Sequence, residues 1–231
     1  MTAPATAHAQ LAAVTEGDHA WATSWRYAIG TMDPARTRDA AVLVLFGVLD
    51  AIPATHRTDA VARDLDVLLL ARAATLGQHA GQVAFPGGRV DPRDDGPVAA
   101  ALREAVEETG LDATGVEVLG TFPPLPVPVS NHLVTPVLGW WATPTPVRVV
   151  DVAESAHVFR VPVADLVDPE NRRTVVARRG TRAYRGPGFL ARADGREHLV
   201  WGFTAGILDA LLDRLGWAEP WDTGRTLDLP L

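Results

Sequence analysis

The chain has 231 residues and a formal net charge of -7, with 47% hydrophobic and 21% charged residues. That length fits one domain with a sizeable core, the composition excludes wholesale disorder, and the acidic balance argues against general nucleic-acid binding, which needs a basic footprint. There is no cysteine and all 21 basic residues are arginine, so disulfides, thiolate metal sites and cysteine or lysine nucleophiles are excluded.

Residues 1 to 39 carry little periodic signal and read as an extension packing on the body. Met1 to His8 lacks the basic start and apolar core of a signal peptide. The longest apolar run, Ala40 to Leu49, is far short of the ~20 residues that a membrane span needs. A soluble, cytoplasmic protein with no membrane partner is the expectation. Trp21, Trp25 and Ile29 stand at i, i+4 and i+8, which suits a short helix laying aromatics on the body rather than a base-stacking platform. Ala40 to Leu49 and Leu65 to Arg72 are continuous apolar and β-branched runs, expected as buried strands on either side of a polar loop. Gln82 to Phe85 reads as a short third strand leading into the turn Gly87-Gly88.

From that turn the chain runs through an acidic loop into a helix carrying Arg103-Glu104-Ala105-Val106-Glu107-Glu108. Pro97 suits its first turn and Gly110 its C-terminal cap. Glu104, Glu107 and Glu108 share one helix face, where like charges repel. A divalent cation relieves that conflict, because hard oxygen ligands are what Mg²⁺ or Mn²⁺ prefers.

Strands are expected at Gly115 to Phe122, His132 to Trp141 and Ala156 to Val161. Pro123, Pro124, Pro126 and Pro128 are expected to form a stiff loop outside any sheet. Val163 to Leu166 reads as a turn. Thr174 to Ala177 and Glu197 to Trp201 read as strands flanking an arginine-rich hairpin, which is either exposed or a source of phosphate donors. Thr204 to Leu215 is an amphipathic helix with Ile207, Leu208, Leu211, Leu212 and Leu215 on one face. The domain expected is 40–216, with a tail at 217–231; its class is α/β (α+β), a mixed sheet held between helices.

The helix and turn resemble the Nudix box, Gly-x5-Glu-x7-Arg-Glu-U-x-Glu-Glu-x-Gly-U with U apolar. Gly88, Arg103, Glu104, Ala105, Glu107, Glu108, Gly110 and Leu111 match it. Fourteen residues separate Gly88 from Arg103 where the box has thirteen, and its early glutamate is an aspartate, Asp94 counted from Gly88 or Asp95 counted back from Arg103. The resemblance implies a Nudix-like α/β/α sandwich and metal-assisted hydrolysis of a pyrophosphate linked to another moiety. It implies Gly87, Glu104 and Glu108 as metal ligands, Glu107 as a further ligand or the base, and Arg103 holding a box carboxylate in place. Glu154 is a possible further carboxylate.

Upstream, Leu68, Leu69, Arg72, Ala73, Gly81, Phe85, Pro86, Gly87 and Gly88 match a signature similar to that of the coenzyme A pyrophosphatase branch, while Leu70 and Gly77 depart from it. This resemblance implies coenzyme A or an acyl-coenzyme A as substrate, with Arg72, Gly81, Phe85 and Gly88 at the substrate site. An ADP-ribose or other dinucleotide pyrophosphatase, and a non-catalytic Nudix-fold binding protein, are the alternatives. His79 and His132 read as surface or loop histidines, and a homodimer is compatible with the sequence.

Overall fold

The computed structural model describes residues 6–17, 19–22, 32–48, 54–73, 81–179 and 182–230. Trp25, Ile29, Gly77 and His79 lie outside them. The organising strand is β1 (Arg38–Val48), whose Leu43, Val44, Leu45 and Phe46 are fully buried. Burial on both faces is what a continuous apolar run requires of a strand.

On one edge β1 runs parallel to β7 (His132–Trp141). On the other it pairs antiparallel with two strands in succession. Ala40 to Val42 face β4 (Gly87–Arg89), and Phe46 to Val48 face β2 (Leu65–Arg72). β3 (Val83–Ala84) and β8 (Ser155–Pro162) extend the sheet from β2; β5 (Val116–Thr121) and β6 (Leu125–Val127) pair with β7. β6 corrects the expectation of a loop outside the sheet. Pro126 stands opposite Leu133, and among the described residues β6 pairs with β7 alone, an edge position that tolerates a proline's missing N–H.

Alternation in β1 divides the core. Ala41, Leu43 and Leu45 pack with α2 (Gly96–Thr109), while Val44 and Phe46 pack with α4 (Gly202–Arg214). The mixed sheet therefore lies between helices. Helix α2 meets it through the fully buried small residues Ala100, Ala101 and Ala105, which allow close approach to β1. Gly110 ends the helix in the left-handed conformation (φ 67°), its N–H reaching the Val106 carbonyl at 2.9 Å.

A second, four-stranded sheet was not anticipated. Its order is β11 (Arg196–Val200), β10 (Arg182–Ala193), β9 (Arg172–Arg179) and β12 (Thr226–Pro230). The expected arginine-rich hairpin is thus β9 and β10 themselves. Arg172 is fully buried, against the expectation of an exposed run. The segment expected as a tail contributes β12, parallel to β9, and the buried Trp217. Val163 to Val167 forms a short helix, α3, and Ala7 to Glu16 forms α1, capped by Thr6.

One buried charge in the sheet gives a testable consequence. Asp66 on β2 is 2% exposed and one carboxylate oxygen has no hydrogen-bond partner among the described residues. Burial pushes its carboxyl up to about 7, against the pull of Arg160. Because the folded pKa lies above the unfolded one, the folded state holds more protons between about pH 4 and 7, and stability falls as pH rises through that window. Asp66→Asn is expected to flatten this dependence and to stabilise the protein at pH 8 by up to about 4 kcal/mol, with little change at pH 4. Urea unfolding at the two pH values checks it, and equal effects at both would overturn it.

Candidate active site

The turn before α2 is shaped by close approach. A Cβ on Gly87 would lie 2.3 Å from the Ala41 carbonyl oxygen, and one on Gly88 would lie 2.5 Å from the Glu104 carboxylate. Only glycine fits either position without displacing backbone or carboxylate. The ladder fixes which groups β4 turns outward. Leu43 N–H donates to Pro86 O at 2.8 Å and Val90 N–H to Asp39 O at 3.0 Å, so Pro86, Gly88 and Val90 address β1. Gly87 and Arg89 therefore direct their backbone polar groups toward α2.

Side chains of α2 meet those groups. The Gly87 N–H donates to Glu108 Oε2 at 2.9 Å, and Arg103 Nη2 donates to the Arg89 carbonyl at 3.0 Å. Arg103 also donates from Nε and Nη2 to the two oxygens of Asp94, at 2.9 and 2.8 Å, and from Nη1 to Glu104 Oε1 and Glu107 Oε2, both at 3.0 Å. Every one of the five guanidinium N–H donors thus has an acceptor. The pairing decides between the two aspartates. Asp94 carries the bidentate contact, while Asp95 is the N-cap of α2 with no side-chain cap bond.

The electrostatics follow from this wiring. Arg103 holds the Asp94 carboxyl down at about 2. Burial pushes Glu104 up, against the hydrogen bond from Arg103. Glu108, 7% exposed, is pushed up to about 7 by burial, with the Gly87 N–H opposing and the Glu104 charge adding to the rise. Two partly desolvated carboxylates on one helix face are left with more negative charge than their surroundings neutralise.

Two more groups reach this field. Arg72, at the end of β2, lowers the Glu108 carboxyl, and its buried Nε–H has no acceptor among the described residues. Glu154 raises both Glu104 and Glu108, while its backbone carbonyl accepts the Ala73 N–H at 2.8 Å. Ser155, the first residue of β8, is buried and paired in register with Arg72.

The other expected site residues are distributed as follows. Gly81 (φ 69°) is exposed and closes the loop after β2, its N–H donating to the Arg72 carbonyl at 3.2 Å. Phe85 is 2% exposed and packs in the larger core. His132 stands beside Arg38 in register, with burial and the charge of Arg89 lowering its pKa. Among the described residues no three His, Asp or Glu side chains stand in a preassembled metal cluster, one oxygen each of Glu104 and Glu107 being turned to Arg103.

Comparison with known proteins identifies the family. The NUDIX domain profile matches residues 54–179. An uncharacterized Nudix hydrolase, NudL, of Shigella flexneri serotype 5b is 36% identical over 184 residues, covering 80% of this chain and 86% of its own. NudL of Cronobacter sakazakii is 39% identical over 150 residues, covering 65% of this chain and 75% of its own. The crystal structure of the Nudix hydrolase RenU from M. smegmatis superposes with a TM-score of 0.44 at 27% identity, covering 57% of this chain and 75% of that one. The chain belongs to the Nudix hydrolase family, a pyrophosphohydrolase built on the NUDIX domain.

Proposed function

We propose that the protein hydrolyses the diphosphate of coenzyme A or an acyl-coenzyme A, water adding across the P–O–P bridge to give 3′,5′-ADP and (acyl-)phosphopantetheine. The observation that supports the reading is the juxtaposition of Arg72, whose buried Nε–H has no acceptor among the described residues, and the partly desolvated pair Glu104 and Glu108. Cation-binding carboxylates and a phosphate-binding guanidinium are what a diphosphate ester needs side by side.

The donor set fits Mg²⁺ or Mn²⁺ in kind, being all hard oxygen. Glu104, Glu107, Glu108 and the outward Gly87 carbonyl would hold the ion. When bound, such an ion neutralises phosphate charge and lowers the pKa of a coordinated water. The chain's own groups do the rest. Arg103 fixes Glu104 and Glu107 through one planar fork and ties both to Asp94, which limits their rotamers. The Gly87 N–H holds Glu108 in its buried position. Glu107, 58% exposed on its side chain, has the access to solvent that a base for water requires. Arg72 binds a substrate phosphate. The net charge of -7 argues against a nucleic-acid substrate, and no helix among the described residues is long and apolar enough to cross a membrane.

A substrate panel followed by product mass tests this, with coenzyme A, dephospho-coenzyme A and ADP-ribose as its arms. Coenzyme A is expected to release 3′,5′-ADP. Arg72→Ala is expected to lower coenzyme A turnover by about 10-fold or more, and that of dephospho-coenzyme A by less, since an arginine–phosphate bond is charge-assisted. Efficient cleavage of ADP-ribose with coenzyme A untouched would replace the substrate and keep the chemistry; the departures at Leu70 and Gly77 favour that second reading.

A further inference from the structure

On the face of β8 turned away from α2, three side chains from two sheets form a hydrogen-bonded chain. His157 Nε2 lies 3.0 Å from Asp194 Oδ2, and His157 Nδ1 lies 3.1 Å from His198 Nε2. A carboxylate only accepts, so His157 donates from Nε2, and its neutral ring then accepts the Nε2–H of His198 at Nδ1. The rings are stacked as well. Phe159 lies 4.3 Å from His198 and 4.9 Å from His157, centroid to centroid, with interplanar angles of 12° and 22°. His157 is nearly buried, its side chain 14% exposed.

Asp194 is held for this contact by the hairpin it occupies. Ala193 pairs with Arg196, leaving Asp194 (φ 49°) and Gly195 (φ 72°) as a two-residue turn with both φ positive. The tip of the second sheet is therefore a stiff peg seated on β8.

What lies beside the peg on β8 connects it to the site. Ala71 pairs with His157 but Arg72 pairs with Ser155, so Ala156 is an extra residue, a β-bulge next to His157. Bulges bend a strand and re-aim the residues after them. Here the chain segment re-aimed is Ser155 and Glu154, which face Arg72 and the box carboxylates. The residue on the core side of the bulge is the one that the second sheet holds.

We propose that the Asp194–His157–His198 chain is a latch that fixes the Ala156 bulge and thereby sets the position of Glu154 at the active site, making His157 a positioning residue for hydrolysis. The inference rests on the pyrophosphatase reading for its effect on turnover, but not for the latch itself. The test uses His157→Phe, which keeps a ring to stack on Phe159 and loses both hydrogen bonds, and Asp194→Gly, which removes the carboxylate while suiting the positive φ. Amide hydrogen exchange and steady-state kinetics are measured on the full chain, the latter with Mg²⁺ and whichever of coenzyme A and ADP-ribose the wild type cleaves.

Exchange of the Ala73 N–H, bonded to the Glu154 carbonyl, is expected to quicken about tenfold in both variants. In His157→Phe, kcat is expected to fall about 10- to 100-fold with KM within about 2-fold, as for a misplaced group that acts in the transition state. Unchanged Ala73 exchange in Asp194→Gly would overturn the latch, whether or not His157→Phe folds and whatever substrate the enzyme takes. Faster exchange with unaltered kcat would overturn its role in positioning.

Discussion

Glu104→Gln and Glu108→Gln are each expected to lower hydrolysis by about 10²- to 10³-fold with the fold kept. The amide matches the carboxylate in shape. At position 108 its oxygen can still accept the Gly87 N–H, so the contact that seats α2 on β4 survives. What is lost is ionic charge at a point where Arg103 already engages the neighbouring carboxylates. Because Glu108 sits in a setting that raises its carboxyl to about 7, the neutral amide relieves a desolvation cost. Thermal stability is therefore expected to hold or rise as activity falls. Opposite movement of the two quantities separates a role in chemistry from a role in folding. Near wild-type turnover in both variants at saturating Mg²⁺ would remove these carboxylates from the reaction.

Arg172→Ala is expected to destabilise the protein by about 3–5 kcal/mol, a large share of the 5–15 kcal/mol typical of a folded protein. The guanidinium is fully buried, lying 4.3 Å from the Phe189 ring centroid and 4.6 Å from that of Trp221, and it donates from Nη2 to Asp209. It therefore joins β9, β10, α4 and the segment before β12. Truncation opens a cavity between two aromatic rings and releases Trp221. Asp209 is 42% exposed and can be hydrated, so the unpaired carboxylate is the smaller cost. Arg172→Met separates the contributions. It refills the volume and removes two buried donor nitrogens, Nε and Nη1, that lack acceptors among the described residues. A loss of about 1 kcal/mol or less is expected, since apolar replacement of a buried charge is often near neutral. Urea midpoints decide the matter, and equal losses in the two variants would refute the cavity account.

How far the sequence could be read depends on the range of the forces involved. β1, β2, α2 and α4 were legible because each is a long run whose own pattern demands burial on both faces or on one. The box was legible for a different reason, since its glycines and glutamates are spaced by local geometry. β10 was not. Gly186-Pro187-Gly188 reads as a break, yet Pro187 pairs only with β9, because the β11 ladder begins at Phe189. Arg172 looked like one of many surface arginines. Its burial is decided by Phe189 and Trp221, which arrive from distant parts of the chain. Likewise, counting along the box left Asp94 and Asp95 equivalent, and only the path of the loop brings Asp94 to the Arg103 fork. Glu154 sits in a turn without periodicity, beside the bulge at Ala156, and its charge reaches Glu104 and Glu108 through register rather than composition.

The pairing of β1 also bears on when the enzyme becomes competent. The box from Gly87 to Glu108 is contiguous, and α2 can form from its own residues. Yet the glycine turn is seated against Ala41 and Val42 of β1, and the other edge of β1 is closed when Arg38 to Phe46 find His132 to Trp140 in parallel register. Such long-range parallel pairing raises contact order and slows folding. Glu104 and Glu108 therefore owe their desolvated setting to pairings that span much of the chain. Partly folded molecules carry the full motif without this buried setting, so a newly made chain lacks the desolvated carboxylate pair until the sheet has closed.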